Sequence, residues 1–269
     1  MEIMNNLIDG RLARAHYLTS LVERIKHLSF VPCLVIIQVG AHPDSDVYIR
    51  AKKSLARKIG VKELHIELPE SITQAEILSL VEKYNNDKEV HGLIVQLPLP
   101  SHLDSKAIID AIDIKKEVDG YRGALIPATA RGVKELLEFY KIDLVGKKVT
   151  MVGSSEFVGK PIAVMTEKAG AMVTLCNSKT SDLVSATRAA DILIVAIGKP
   201  HYITRDYTHK KQIVIDVGIT RPEDGNVVGD VDFLNVSKHV AMITPVPGGV
   251  GQMTVLALFE NLIDACYSQ

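Results

Sequence analysis

Apolar residues in the first part of the chain alternate between short unbroken runs and positions spaced by three and four. Unbroken runs rich in β-branched residues predict strands, and the wider spacing predicts amphipathic helices. The predicted elements are strands over residues 33–39, 62–68 and 92–96 and helices over residues 11–28 and 45–59. Thr73 and Glu76 form a capping-box pattern that predicts a further helix between the last two strands. Because buried strands joined by helices form parallel sheets, the pattern predicts a parallel α/β lobe.

The same alternation restarts after Gly146 and predicts a second parallel-sheet lobe. Its predicted elements are strands over residues 148–152, 172–175, 191–197, 212–217 and 241–244, a helix from about Pro161, and a terminal helix over residues 251–267. The crossing between the lobes is expected near residues 115–145. The expected domains are residues 1–120 together with the terminal helix, 251–269, and residues 121–250, with a cleft between the two lobes.

Composition narrows the class of protein. Lys and Arg number 31 and Asp and Glu number 32, a balance that predicts neither nucleic acid nor a membrane surface as a partner. No apolar run reaches the roughly 18 residues that a membrane-spanning helix needs, and the charged start of the chain does not have the pattern of a signal peptide. Three widely separated cysteines predict a reducing compartment, with neither a disulfide framework nor a metal cluster. We therefore expect a cytoplasmic α/β protein that is an enzyme or a small-molecule binder.

The glycine-rich segment at residues 153–159 is the candidate nucleotide site. It joins a predicted strand to a predicted helix, a geometry that directs backbone N–H groups and the helix N-terminus at phosphates. A tight turn without a ligand is the alternative. The next strand ends in Asn177, Ser178 and Lys179 rather than in the Asp or Glu that binds the ribose 2′-hydroxyl of NAD. These groups favour a Rossmann-like lobe that binds NADP, without excluding NAD; an ordinary solvated lysine is the alternative for Lys179.

Lys52 occupies an unusual position on the helix predicted over residues 45–59. At about 100° per residue, it shares one stripe of the helix with Tyr48, Leu55 and Ile59. The opposite side of the helix carries three other basic residues, Arg50, Lys53 and Arg57. Burial disfavours a charged ammonium and lowers its pKa, so that a buried lysine can take up and release protons near neutral pH. A lysine that extends along an apolar edge to reach water is the alternative.

Two polar residues and one loop are further candidate ligand contacts. Gln96 ends a predicted strand, at the edge where open parallel sheets bind ligands, and Asp119 lies in a Val-Asp-Gly turn. An exposed strand end and an ordinary Asp-Gly turn are the alternatives. Residues 244–251 (TPVPGGVG) combine prolines that fix the backbone with glycines that allow close approach. This loop is typical of a ligand contact at a helix start; a turn between domains is the alternative.

Taken together, these segments resemble one family, the bifunctional methylenetetrahydrofolate dehydrogenase/methenyltetrahydrofolate cyclohydrolases. The segments that carry the resemblance are residues 39–52, 92–100 (GLIVQLPLP), 118–120 (VDG), 153–161 (GSSEFVGKP), 214–218 (VIDVG), 229–233 (GDVDF) and 244–254. They occur in the family's order and cover nearly the whole chain. The resemblance implies oxidation of 5,10-methylenetetrahydrofolate with NADP⁺, hydrolysis of the methenyl product to 10-formyltetrahydrofolate, and a homodimer.

The resemblance also implies roles for individual residues. Lys52 resembles the family's catalytic lysine and Gln96 the residue that holds it; Tyr48 resembles the tyrosine that packs on the folate ring, and Asp119 the carboxylate that grips the pterin. The catalytic residues are therefore expected to be Tyr48, Lys52, Gln96 and Asp119. The substrate-binding residues are expected to be Tyr48, Asp119, Pro247, Gly248 and Gly251. The cofactor-binding residues are expected to be Thr129, Gly153, Ser154, Ser155, Ser178 and Ile219.

Departures from the family's pattern keep two other functions open. The segment between Asp119 and Pro127 is shorter than in most members, and Ser154 stands where many members have arginine. One alternative is a folate- or nucleotide-binding relative with weakened or single activity. The other is a different NAD(P)-dependent dehydrogenase that uses Lys52 on a small carbonyl substrate. Turnover of 5,10-methylenetetrahydrofolate distinguishes these alternatives from the bifunctional enzyme.

Overall fold

Two parallel sheets form the frame of the structure, a computed structural model that describes residues 6–40, 43–222 and 225–268, without the side chains of residues 43–45. The chain divides into two compact units. The three-stranded unit comprises Tyr17–Ala128 and Val255–Gln269, and the five-stranded unit comprises Met1–His16 and Thr129–Thr254. The two sheets confirm the predicted α/β class with two parallel-sheet lobes.

The first sheet is formed by strands from the first hundred residues. The elements up to residue 110 are α1 Gly10–Lys26, β1 Cys33–Val39, α2 Pro43–Ile59, β2 Lys62–Leu68, α3 Gln74–Asn86, β3 Gly92–Val95 and α4 Ser105–Asp110. The strand order is β2-β1-β3, and Val35 of β1 lies opposite Leu64 and Leu93 in parallel register. Every residue of the central strand β1 is buried, as its unbroken apolar sequence predicts.

Local signals set two of the helix ends in this unit. Thr73 Oγ1 accepts the backbone N–H of Glu76 at 3.3 Å, and the Glu76 carboxylate accepts the N–H of Thr73 at 2.8 Å, so the predicted capping box is confirmed. Gly60 follows α2 with φ +77°, a left-handed conformation that glycine adopts without a Cβ clash. The C-terminal end of α2 and the start of α3 therefore follow from local chemistry.

The second sheet places the predicted glycine loop at a change of direction in the strand order. The elements after residue 127 are α5 Ala128–Phe139, β4 Lys148–Val152, α6 Gly159–Lys168, β5 Met172–Cys176, α7 Leu183–Arg188, β6 Ile192–Val195, a 3₁₀ turn Arg205–Tyr207, β7 Ile213–Asp216, α8 Phe233–Val236, β8 Met242–Ile243 and α9 Val250–Ser268. The order is β5-β4-β6-β7-β8, all parallel. Since β4 lies between β5 and β6, its carboxyl end is the point at which open α/β sheets bind ligands.

Five elements of the structure are absent from the sequence-based prediction. These are α4, α5, α7, α8 and the 3₁₀ turn. Four predicted strands, over residues 92–96, 191–197, 212–217 and 241–244, are shorter in the structure. Elements of three to six residues do not show a hydrophobic repeat, which explains most of the omissions. The exception is α5, which lies inside the predicted crossing region and buries Val133, Leu136 and Leu137 at helical spacing.

The limits of the two units differ from the predicted domain limits. Residues 6–16 belong to the five-stranded unit, because the chain around Leu7 runs beside β8. Ile8 N–H donates to the carbonyl oxygen of Ile243 at 2.8 Å, and Asn6 Nδ2 donates to that of Ser237 at 2.8 Å. The limit predicted after residue 120 lies after Ala128 in the structure, and α9 is divided between the units after Thr254.

Buried side chains hold the short segment that follows Val118. Asn261 of α9 is fully buried, and its Nδ2 donates to the carbonyl oxygens of Val118 at 2.9 Å and Ile126 at 3.0 Å. Glu117 is also buried, and its carboxylate accepts the N–H of Gly120 at 3.0 Å. Burial, together with the charge of a nearby aspartate, raises the pKa of Glu117 to about 7. The short segment is therefore a closed turn with fixed ends.

We expect Asn261→Leu to destabilise the three-stranded unit. The substitution keeps the approximate volume of the side chain but leaves the carbonyl oxygens of Val118 and Ile126 without this donor. A buried group left unsatisfied in this way costs about 1–3 kcal/mol. The measurement is the midpoint of urea unfolding followed by circular dichroism. The control is Asn86→Leu, because Asn86 makes a single exposed bond to the carbonyl oxygen of Glu82. Equal midpoints for the two variants would contradict the bracing role of Asn261.

Candidate active site

Helix α2 buries the amine-bearing side chain of Lys52. Lys52 is 6% exposed, and Leu55 and Ile59 on the same stripe are also buried. Arg50 and Arg57, on the opposite side, are exposed. The structure thus confirms the position of Lys52 within the apolar stripe. The Lys52 side chain is therefore not a lysine that extends along an apolar edge to reach water, the alternative that the sequence left open.

The partner of the buried amine is Gln96, the residue that follows β3. Lys52 Nζ donates to Gln96 Oε1 at 2.9 Å, and Gln96 Nε2 donates to the carbonyl oxygen of Leu97 at 2.8 Å. The backbone N–H of Gln96 continues the sheet by donating to the carbonyl oxygen of Ile37 at 2.8 Å. Because the amide nitrogen is already engaged, the amide oxygen is the atom that faces the lysine. The carboxyl end of the sheet therefore fixes both the place and the orientation of the acceptor.

Asp119 is the anionic neighbour of this pair. Burial lowers the pKa of Lys52, and the charge of Asp119 opposes that shift only in part. Burial likewise raises the pKa of Asp119, with Lys52 acting in the opposite sense. Desolvation therefore exceeds the mutual attraction on both groups, so that each is easier to neutralise than in water. Such a pair can exchange a proton with a bound ligand.

Two tyrosines share the surroundings of Asp119. Tyr48 lies one turn before Lys52 on α2 and is half-buried. Burial raises the pKa of the Tyr121 hydroxyl well above its usual value, with Asp119, Glu117 and Tyr48 adding to the shift. Tyr121 was not among the expected site residues, although an aromatic residue directly after the Val-Asp-Gly turn was a signal that could have identified it. Its neighbours make Tyr121 part of the site.

The three-stranded unit thus brings together the four residues that were expected to be catalytic, Tyr48, Lys52, Gln96 and Asp119. Pro247, Gly248 and Gly251, expected on the folate side, belong to the five-stranded unit. Their loop is anchored at Thr244, whose Oγ1 accepts the N–H of Asp216 at 2.7 Å. Gly248 has φ +116°, and its carbonyl oxygen accepts the N–H of Gly10 at 2.8 Å. The loop is therefore held at its start by a side-chain hydroxyl and near its middle by a backbone hydrogen bond.

A cavity of about 350 Å³ lies at the carboxyl end of β4. Its lining residues are Val152, Gly153, Ser154, Ser155, Asn177, Ser178, Thr180, Leu183, Ala196, Ile197, Lys199 and Tyr202. Four of the expected cofactor contacts, Gly153, Ser154, Ser155 and Ser178, therefore share one cavity. The other two, Thr129 and Ile219, are described residues that do not line it. Lys199 and Tyr202 line it without having been expected.

Close backbone approach explains the glycines of the nucleotide loop. Gly153 has φ +114°, and a Cβ there would collide with the carbonyl oxygen of Ala196. A Cβ at Gly159 would collide with the carbonyl oxygen of Gly153. Ser155 Oγ accepts the N–H of Gly159 at 3.2 Å where α6 begins. Packed backbones and a helix start beside a cavity lined with hydroxyl groups suit a phosphate-bearing nucleotide.

Two buried carboxylates hold the loop on the other side of this cavity. Asp230 accepts the backbone N–H groups of Ile197 at 2.6 Å, Gly198 at 3.0 Å and Lys199 at 2.7 Å. Asp216, at the end of β7, accepts the N–H of Asp230 at 3.2 Å. Burial and the adjacent carboxylate of Asp230 raise the pKa of Asp216 to about 7. The acidic residue that ends the apolar run of β7 was the sequence signal for this arrangement.

The described ranges contain neither a metal-binding cluster nor a membrane-spanning helix. Among residues 6–40, 43–222 and 225–268, no group of three or more His, Cys, Asp or Glu side chains could hold a metal ion. In the same part of the chain, no helix has the length and apolar character needed to cross a bilayer.

Both units match known protein families. Residues 8–119 match the family described as "Tetrahydrofolate dehydrogenase/cyclohydrolase, catalytic domain". Residues 127–269 match "Tetrahydrofolate dehydrogenase/cyclohydrolase, NAD(P)-binding domain". Lys52, Gln96 and Asp119 fall within the first match, and the nucleotide cavity falls within the second.

Individual relatives cover almost the whole chain. The "Bifunctional protein FolD" of Nautilia profundicola is 45% identical over 91% of this chain and 90% of its own. The crystal structure of the bifunctional enzyme FolD from Campylobacter jejuni is 41% identical, has a TM-score of 0.92, and covers 97% of this chain and 98% of its own. The FolD of Trypanosoma brucei, solved "complexed with NADP cofactor and inhibitor", is 32% identical with a TM-score of 0.91 and covers 97% of both chains.

These matches agree with the geometry of both sites. A family match that spans both units, and relatives above 40% identity over nearly the full length, confirm the resemblance seen in the sequence. The nucleotide cavity lies within the segment that matches the NAD(P)-binding domain. The chain therefore belongs to the tetrahydrofolate dehydrogenase/cyclohydrolase family.

Proposed function

We propose that this protein oxidises 5,10-methylenetetrahydrofolate to 5,10-methenyltetrahydrofolate with NADP⁺ and hydrolyses the product to 10-formyltetrahydrofolate. The observation that carries the proposal is the buried Lys52 amine, which donates to Gln96 Oε1 at 2.9 Å inside the unit that matches the family's catalytic domain. Bound NADP⁺ supplies the acceptor for the hydride. The hydrolytic step needs water as its second reactant and proton transfers, which the side chains of the three-stranded unit can perform.

Lys52 serves the hydrolytic step as a base and then as an acid. The neutral amine takes a proton from water as the water oxygen bonds to the methenyl carbon. The resulting ammonium returns that proton to the departing folate nitrogen as its bond to the carbon breaks, and the second water proton leaves to solvent. Burial supports this cycle, because it lowers the pKa of Lys52 from its usual range towards neutrality.

Gln96 holds the amine in both of its protonation states. An amide oxygen accepts an N–H from a neutral amine and from an ammonium alike, so the 2.9 Å contact persists through the cycle. A carboxylate at the same position would stabilise the ammonium and raise the lysine pKa again. The uncharged acceptor therefore positions Lys52 while leaving the effect of burial intact.

Asp119 and Tyr48 are assigned to substrate binding. An ionised carboxylate matches the paired N–H donors of a pterin and binds them through charge-assisted hydrogen bonds. The half-buried ring of Tyr48, one helical turn from Lys52, offers a flat surface for the folate ring. Lys52 keeps Asp119 more ionised than burial alone would allow. The same pair thus serves both binding and proton transfer.

We expect Lys52→Met to abolish hydrolysis while the protein still folds. Methionine fills the apolar stripe without an amine, so the loss of acid–base catalysis lowers the cyclohydrolase rate by about 100-fold or more. The measurement is a spectrophotometric assay with NADP⁺ and with NAD⁺ that follows formation and hydrolysis of the methenyl product. Lys58→Met is the control, because Lys58 is exposed on the same helix.

Two results of this assay would contradict the proposal. One is hydrolysis by Lys52→Met at the rate of the native protein. The other is a native protein that binds folate without converting it, which would favour the binding-protein alternative. Turnover of a small hydroxy acid in the absence of folate would favour the alternative dehydrogenase.

We expect Asp119→Asn to weaken folate binding and to remove the pH dependence of the KM for folate. Since burial raises the pKa of Asp119, the carboxylate gains protons at a higher pH than an exposed aspartate does. The KM of the native protein for folate should therefore rise as the pH falls through that raised pKa. The variant should have a KM about 10- to 100-fold higher and nearly constant over the same range. Asp110→Asn, at an exposed site of α4, is the control; a parallel pH profile for native protein and Asp119→Asn would contradict this role.

We also propose that the protein is a cytoplasmic homodimer. Support for the dimer comes from the edge strand β5, where Met172 is 55% exposed and Leu175 is 41% exposed. An apolar edge strand with unpaired backbone groups is stabilised by pairing with a second copy. Support for the reducing compartment comes from Cys33, Cys176 and Cys266, which are buried free thiols.

Sedimentation tests the dimer directly. We expect the native protein to sediment at twice the chain mass at micromolar concentration, and Met172→Lys to shift it towards the monomer by placing a charge in the apolar interface. The control is Leu234→Lys, because Leu234 is 73% exposed on α8, away from β5. A monomeric native protein, or equal dissociation of both variants, would refute the proposed interface.

A further inference from the structure

The nucleotide cavity has one charged lining residue, Lys199. The other eleven of the twelve lining residues given above are apolar, are glycine, or carry hydroxyl or amide groups, and none is acidic. Among the lining side chains, Lys199 alone therefore contributes a net charge to this cavity of about 350 Å³. A cavity of this kind favours a ligand that carries its own anionic group.

The side of the cavity next to β5 contributes only neutral groups. Asn177 stands where NAD-binding folds place an acid for the ribose 2′-hydroxyl. Its Oδ1 already accepts the backbone N–H of Lys179 at 2.9 Å, and the backbone N–H of Asn177 donates to Thr180 Oγ1 at 3.0 Å. Ser178 adds a hydroxyl group and no charge. This side can donate to a phosphate oxygen but cannot neutralise it.

The opposite wall holds Lys199 in place. The Lys199 N–H donates to the buried Asp230 carboxylate at 2.7 Å, so the backbone from which the side chain extends is fixed. Lys199 Nζ lies 5.4 Å from the centroid of the Tyr202 ring, within the range of a cation–π contact. Tyr202 packs in turn against Tyr207, with ring centroids 5.8 Å apart. The ammonium is therefore oriented before any ligand binds.

We infer that Lys199 binds the 2′-phosphate of NADP and is the residue that determines preference for NADP over NAD. The inference rests on the NADP-dependent function proposed above and assigns the phosphate subsite within that cavity. Ser178 supplies a hydroxyl donor from one wall, and Lys199 supplies the charge from the other. Tyr202 acts as a positioning residue for Lys199.

Binding measurements without folate test the assignment. Calorimetry would compare native protein and Lys199→Met with NADP⁺, NAD⁺, 2′,5′-ADP and 5′-AMP. We expect the Kd for the two ligands with a 2′-phosphate to rise by about 10- to 100-fold, because a charged hydrogen-bond partner is lost. The Kd for NAD⁺ and 5′-AMP should change by less than about threefold, and Lys199→Arg should restore most of the affinity for 2′,5′-ADP.

The salt dependence supplies a second readout. An ion pair at the rim of a cavity weakens as salt rises, so the Kd of native protein for 2′,5′-ADP should increase with sodium chloride, and that of Lys199→Met should increase less steeply. Tyr202→Leu should weaken 2′,5′-ADP binding severalfold, whereas Tyr202→Phe keeps the ring face and should bind as the native protein does. Circular dichroism of each variant confirms folding.

Lys179→Met is the matched control, since Lys179 follows Ser178 but does not line the cavity. Loss of affinity for 2′,5′-ADP in Lys179→Met, with Lys199→Met unchanged, would overturn the assignment. Equal weakening of NADP⁺ and NAD⁺ by Lys199→Met would also overturn it, because Lys199 would then act on a part common to both nucleotides. Failure of the proposed folate activity is distinguishable, since it leaves native protein that binds NADP⁺ without turning over methylenetetrahydrofolate.

Discussion

The candidate catalytic site depends on one hydrogen bond made by a buried amine, the 2.9 Å contact from Lys52 Nζ to Gln96 Oε1. A buried ammonium is costly unless it is paired, and here the charge of Asp119 acts to stabilise it. The effect of burial on the Lys52 pKa exceeds the opposing effect of the Asp119 charge, so Lys52 is easier to deprotonate than an exposed lysine. The Gln96 amide holds the amine in place without adding a charge. Replacing the amide with a carboxylate would reverse this balance.

Buried polar side chains also hold the backbone of a loop at each of the two candidate sites. In the three-stranded unit, Asn261 and Glu117 satisfy the backbone of the short turn that carries Asp119. In the five-stranded unit, Asp230 satisfies three successive N–H groups of the loop that carries Lys199. In each case a buried polar side chain meets backbone groups that would otherwise be unsatisfied. The loops at both sites therefore have defined shapes without belonging to a helix or strand.

The sequence predicts the parts of the structure that depend on local pattern. Strands β1, β2 and β4 have the predicted bounds, and the helical projection places Lys52 on the buried face of α2. The parts that it does not predict depend on residues distant in the chain. Asn261 bonds to a carbonyl 143 positions away, and no spacing rule connects the two. Lys199 is likewise an ordinary lysine in sequence, and only the cavity around it shows that its neighbours on the wall are neutral.

The central claim is that burial makes the Lys52 amine a proton carrier, and the titration of that amine tests it most directly. Protein labelled with ¹⁵N at the lysine side chains would be titrated by NMR, with Lys52→Met used to assign the Nζ resonance. We predict that Lys52 titrates below its usual value of 10.5, and that Gln96→Glu returns its pKa towards that value. A Lys52 that titrates at 10.5 or above would contradict the account.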